Sequence, residues 1–187
     1  MRVRQNDFYK QSATKFVRRK AMHNPFITDN PHVEVRQTEK GRGVFALKDI
    51  PAGQLIAEFV GNIYESDLAT QLPTKMVNHA LQISPTQYMY AENRLAEIIN
   101  HSCDPNCGIN SLTKVVSIKC IRSGEEITWD YAMTEMSDWK LGNCLCGAQR
   151  CRGIVGSFLD LPENIKREYL AKGIVSDWIR KELLLSF

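Results

Sequence analysis

From residue 32 the chain alternates hydrophobic and polar positions in short runs, each closed by a turn signal. Val33-Glu34-Val35-Arg36 alternates, Gly41-Arg42-Gly43 reads as a turn, and Val44-Phe45-Ala46 follows. A second turn at Pro51-Ala52-Gly53 precedes the apolar run from Leu55 to Val60. Ala80-Leu81-Gln82-Ile83 and Gln87-Tyr88-Met89-Tyr90 suit a hairpin, and 114–120 and 126–131 read as further strands. Cys120, inside one of these patterns, is expected to be an ordinary core cysteine.

Two parts of the chain carry helical spacing instead. In 6–22, Tyr9, Ala13, Phe16 and Val17 share one stripe with basic residues elsewhere. In the tail, Pro162 suits the first turn of a helix ended by Gly173, and Ser176 can cap another carrying Trp178, Ile179, Leu183 and Leu184. The segment 67–77 predicts a short helix broken by Pro73. Short strands without βαβ alternation exclude a doubly wound sheet and predict a mainly β, α+β fold.

Charge is unevenly placed. Residues 1–24 carry seven Lys/Arg against one Asp, a local +6 in a chain of +3, so the rest sums to −3. This basic arm could touch acidic protein or nucleic acid, but its apolar stripe favours a packed helix with solvated charges. No apolar run is long enough to cross a membrane. The start of the chain has no secretory-type apolar stretch, which predicts an intracellular protein, nuclear or cytoplasmic.

Candidate chemistry sits in two clusters holding five of the six cysteines: Asn-His-Ser-Cys-Asp-Pro-Asn-Cys at 100–107 and Cys-Leu-Cys-Gly-Ala-Gln-Arg-Cys at 144–151. Cys144, Cys146 and Cys151 form C-x-C-x4-C, three thiolates that need a fourth ligand to close a tetrahedral structural zinc site. Cys103 or Cys107 can supply it, which would pin the distal segment onto the Asn-His segment.

Taken together, NHSCDPNC, GEEITWDY (124–131), KGRGVFALKDIPAGQLIAEFVGNIYE (40–65) and CLCGAQRC resemble, in order, the motifs of the SET-domain protein lysine methyltransferases, with the last resembling their post-SET zinc motif. The resemblance covers about 32–155. It implies several small twisted sheets with a pseudoknot crossing, a post-SET zinc segment and flanking helices. It divides the chain into a basic N-terminal extension (1–31), a SET domain (32–133), a post-SET segment (134–155) and C-terminal helices (156–187). The implied cofactor is S-adenosylmethionine and the implied substrate a protein lysine, possibly on a histone tail.

Roles carry over by position. The resemblance makes Tyr131 the catalytic tyrosine, and Lys40, Gly41, Arg42, His79, Asn100, His101 and Leu145 cofactor contacts. Phe59, Trp129 and Tyr131 would line the lysine channel, and Cys103 rather than Cys107 would complete zinc with Cys144, Cys146 and Cys151. Three positions depart from common family residues: Trp129 for Phe or Tyr, Phe59 for Tyr, and His79 for an aromatic hydroxyl. These predict an altered methylation state without fixing its direction. Glu97 replaces a basic residue. A non-catalytic SET-fold module that binds a protein partner is the competing reading. The C-terminal helices are expected to cover the post-SET segment, or to offer Trp178 and Leu183 as a dimer face.

Overall fold

The computed structural model describes residues 30–38, 41–67, 74–138 and 140–185. The segment 6–22, for which a basic helix is expected, and Lys40 lie outside these residues.

Twelve short strands form four separate small sheets among the described residues. The first joins β1 (Val33–Thr38), β2 (Gly41–Ala46), β10 (Glu126–Trp129) and β7 (Asn100–His101) in that spatial order. β1 and β2 are antiparallel, with Val33 opposite Ala46 and Thr38 opposite Gly41. Gly41-Arg42-Gly43 therefore belongs to β2 rather than to a turn, a correction to the sequence reading. Gly41 supplies a positive φ of 107°, and Gly43 serves close approach. A Cβ on Gly43 would lie 2.6 Å from Glu126 Oε1 and 3.2 Å from Asn100 Nδ2.

The second sheet orders β3 (Leu55–Glu58), β9 (Lys114–Ser117) and β8 (Cys107–Asn110), and the third β4 (Asn62–Glu65), β6 (Gln87–Tyr90) and β5 (Leu81–Gln82). The expected hairpin is the β5–β6 pair, with Leu81 opposite Met89. β4 and β8 were not legible in the sequence. β9 stops at Ser117, so Cys120 lies beyond it and is exposed, which corrects its assignment to the core. β11 (Gly142–Asn143) and β12 (Ile154–Val155) form the last ribbon.

Val44, Ile56, Ile99, Ile109, Val115, Ile121, Ile127 and Met133 are fully buried where the first two sheets meet. Among the described residues the α-helices are α1 (Thr74–Val77), α2 (Glu163–Ala171) and α3 (Asp177–Leu185). α1 begins at Thr74, and residues 68–73 of the helix expected over 67–77, with its break at Pro73, lie outside the described residues.

The tail packs on the core through its backbone. Ile109 N donates to Ile174 O (3.1 Å), Ser176 N to Met133 O (2.9 Å) and Asp177 N to Ser111 O (2.9 Å). Trp178 is buried, with its indole N–H shared by Gln82 O (3.0 Å) and Thr134 O (3.2 Å). This corrects the alternative in which Trp178 presents a dimer face. The helices also cover the core more than the cysteine segment, which α2 reaches through Glu168 and Arg150 (3.0 Å).

Candidate active site and metal centre

The parallel pairing of β7 with β10 creates the site. Asn100 lies opposite Thr128 and His101 opposite Trp129, so two distant segments run side by side. Asn106 clasps them, its Nδ2 donating to Glu126 O (2.8 Å) and its Oδ1 accepting from Thr128 N (2.9 Å). Asn100 bridges to β2, with Nδ2 donating to Arg42 O (2.9 Å) and Glu126 Oε1 (2.7 Å). Asn100, Gly41, Arg42 and His101 are thus brought into one region.

Beyond β10 the chain enters a short 3-10 turn at Tyr131–Met133, capped by Asp130, whose carboxylate accepts from Ala132 N. This turn aims Tyr131 inward. Its hydroxyl donates to Ile99 O (3.1 Å), and its ring lies 4.9 Å from Trp129 and 5.3 Å from His101. Trp129 meets Phe59 edge-on at 5.8 Å. Burial raises the Tyr131 phenol above its ordinary pKa, so near neutrality it is a neutral hydrogen-bonding group rather than a base.

A cavity of about 230 Å³ opens beside these rings, lined by Phe59, Tyr88, Trp129 and Tyr131, with the carboxylates of Glu97 and Glu135 in its wall. No Lys or Arg lines it among the described residues. Burial raises the Glu135 carboxyl, while donors from Ser137 lower it (Ser137 N at 3.0 Å). Burial likewise raises Glu97 to about 7, against opposing N–H donors from Arg94 and Ala91. Trp129 buries its indole Nε1 without an acceptor among the described residues, a donor that such an interior usually satisfies.

His79 lines this cavity and a second one of about 180 Å³ shared with Arg42, Tyr90 and Glu97. Its Nδ1 lies 3.1 Å from Glu97 O. Leu145 stands apart from these residues and is 69% exposed.

Behind Tyr131 lies the cysteine cluster. The sulfurs of Cys103, Cys144, Cys146 and Cys151 all lie within 4.8 Å of one another, and Cys103 and Cys144 are 3.8 Å apart. A tetrahedral zinc with bonds of about 2.3 Å needs sulfur separations of about 3.8 Å, so the set fits. Arg152 N and Gly153 N each point at a sulfur at 3.4 Å, as suits thiolates. Gly147, with φ +70, supplies the left-handed residue that turns the chain between Cys146 and Cys151. Cys107 is fully buried in β8 and outside the cluster, its thiol pushed up by burial.

The two centres touch. His101 accepts from Tyr131 N at Nδ1 (3.4 Å), which leaves Nε2–H to donate to Cys103 Sγ (3.4 Å). Burial lowers the His101 pKa and keeps the ring neutral, although Asp130 opposes this. Asp130 is fully buried and takes Arg152 bidentately, at 2.7 Å and 2.9 Å, with Tyr169 of α2 donating to it at 3.0 Å. Arg152, Tyr169 and Glu135 were not anticipated as part of the site. Glu97 was visible as a departure, but its setting was not.

The family model described as "SET domain" matches residues 41–132. Residues 41–132 form a SET domain. Among curated relatives, this chain is 32% identical to the histone-lysine N-methyltransferase set-2 of Caenorhabditis elegans, over 79% of the chain and 10% of that protein. It is 36% identical to the histone-lysine N-methyltransferase SETD1 of Drosophila melanogaster, over 59% of the chain and 8% of that protein. The chain thus spans about a tenth of the length of these relatives.

Among solved structures, the SET domain resembles KRYPTONITE in complex with mCHG DNA and SAH, at 28% identity and a TM-score of 0.50, over 66% of this chain and 28% of that one. Arabidopsis thaliana SUVH6 in complex with SAM shares the fold at 24% identity and a TM-score of 0.55, over 66% of this chain and 33% of that one. The expected fold of small sheets with few helices is therefore the observed one.

Proposed function

We propose that the chain is a protein-lysine N-methyltransferase that uses S-adenosylmethionine. The observation that carries this reading is the cavity beside Tyr131: aromatic walls, two acidic residues and, among the described residues, no Lys or Arg, at the β7–β10 crossing of a SET domain. Such a cavity suits an alkylammonium chain, since aromatic faces and carboxylates both attract cations.

The residues fit the cofactor. Gly43 and Gly41 give β2 a bare backbone edge beside Asn100, whose Nδ2 is spent on Arg42 O and Glu126 and whose Oδ1 can accept from an amino group. Lys40, Gly41, Arg42, His79, Asn100 and His101 would hold it, and Leu145 is a free apolar side chain able to close over the adenine. When bound, S-adenosylmethionine supplies a methyl group activated by a sulfonium.

The chain's own residues do the rest. Phe59, Trp129 and Tyr131 would enclose the lysine and exclude water, and this desolvation favours the neutral amine that must attack. The Tyr131 hydroxyl and Ile99 O present a fixed donor–acceptor pair that can orient the amine in line. Cys103, Cys144, Cys146 and Cys151 would hold one structural zinc, with four thiolates leaving no open position for chemistry.

We place the domain boundaries at 32–133 for the SET domain and 134–155 for the zinc segment, flanked by 1–31 and 156–187. The substrate is a protein lysine, and the histone enzymes among the relatives make histones the first class to test. The same relatives favour a nuclear site of action. No described helix is long and apolar enough to cross a membrane. For the arm at 1–24, we favour solvated charges over nucleic-acid contact.

Incubating the zinc-loaded protein with methyl-labelled S-adenosylmethionine, core histones and source-cell lysate tests the reading. Label on lysine is expected. Cofactor binding without label on any protein would instead support a partner-binding SET module.

A further inference from the structure

Glu97 is an anomaly of this cavity. It lies in the wall shared by the 230 Å³ and 180 Å³ cavities, and no cation lies within ion-pair distance of it among the described residues. Among the described residues its oxygens accept from backbone alone, Ala91 N at 3.2 Å and Arg94 N at 3.5 Å. Half-buried carboxylates are usually paired, because removing charge from water is costly. Glu135, the other carboxylate of the cavity, is different. Its own loop satisfies it through Ser137 N (3.0 Å) and Ser137 Oγ (2.5 Å).

We infer that Glu97 is the counter-charge to the cationic reacting centre, and so favours the sulfonium donor over its neutral thioether by-product. The inference rests on the methyltransferase reading above. The two nucleosides differ only at sulfur, where the donor carries one methyl group and one positive charge that the by-product lacks. A carboxylate near that position adds a preference that follows its own ionisation, unlike the contacts of the methyl group, and helps the spent by-product leave.

The groups around Glu97 set when it is charged. Glu92 and Arg94 flank it on its own segment, His79 faces it from beyond α1, Arg42 from β2 and Tyr90 from β6. Burial dominates and moves its titration to about 7, so the carboxylate is mostly protonated a unit below and mostly ionised a unit above. Discrimination between the nucleosides should follow that change.

Calorimetric titration of the zinc-loaded chain with S-adenosylmethionine and S-adenosylhomocysteine, at about pH 6 and about pH 8, tests this. The preference for the sulfonium should rise about three- to tenfold between the two pH values in the native protein. It should stay flat in Glu97→Gln and persist in Glu97→Asp. The neutral nucleoside serves as the folding control, because its affinity should change little. Equal preferences in native protein and Glu97→Gln, or a native preference that ignores pH, would overturn the inference. Failure of both nucleosides to bind the native chain would instead remove the cofactor reading, and this inference with it.

Discussion

Asp130 and Arg152 form a buried bidentate ion pair at 2.7 Å and 2.9 Å that ties the turn carrying Tyr131 to the segment carrying the cysteines. The Asp130 side chain is wholly enclosed and that of Arg152 is 16% exposed. Such a pair adds little over a hydrophobic filling, but breaking it strands a charge. Asp130→Ala should destabilise the chain by about 3–5 kcal/mol in urea unfolding. Tyr169→Phe, which removes one hydrogen bond to the same carboxylate, should lose only about 1 kcal/mol. Equal losses would show that the ion pair is not the dominant element.

The cysteine segment depends on metal. Residues 141–154 are mostly exposed and contribute little to the core, so little else orders them. Cys146→Ser should reduce bound zinc from about one ion per chain to a small fraction. Amide exchange should then quicken across 142–155 while the strands of the core stay protected. Unchanged zinc content in that variant would point to a different ligand set.

Glu97 makes stability fall with pH in a definite window. Burial raises its folded value from 4.5 to about 7. Between those values the folded state holds more protons than the unfolded one, so stability is full below about 4.5, declines up to about 7 and is flat beyond. Because the group is half exposed, the loss should be about 1 kcal/mol. Glu97→Gln should lack this decline and be the more stable protein at pH 8. Parallel stability profiles would contradict the assignment.

Much of this was legible in the sequence because it is local or motif-borne. The Pro162 start, the Gly173 end and the Leu81–Tyr90 hairpin follow from turn chemistry and alternation within a few residues. The fourth sulfur, Cys103, could be chosen only by resemblance, since spacing left Cys107 open. What stayed hidden depends on distant packing. The two-residue β7 is defined solely by its pairing with β10, and β4 only by its pairing with β6. Cys120 was misread because a strand pattern does not show where pairing stops. Trp178 sits in the core because its indole N–H finds carbonyls 44 and 96 residues away.

Trp129 should set how many methyl groups the cavity admits. Its indole is packed between Phe59 and Tyr131, so its bulk narrows the space beside the tyrosine hydroxyl. Trp129→Phe should shift products toward higher methylation, read by mass spectrometry of modified lysines. It should also remove the buried indole N–H that lacks an acceptor, offsetting part of the cost of lost packing. Identical product distributions in the two proteins would exclude this role.

We propose that Tyr131 organises methyl transfer to lysine in this cavity. The most direct measurement compares native protein and Tyr131→Phe for transfer of labelled methyl groups to lysine, with S-adenosylmethionine affinity measured on the same samples. We predict a rate loss of at least about 100-fold with affinity changed less than about threefold, as expected when a group acts mainly in the transition state. Undiminished transfer by Tyr131→Phe, at equal cofactor affinity, would contradict the account.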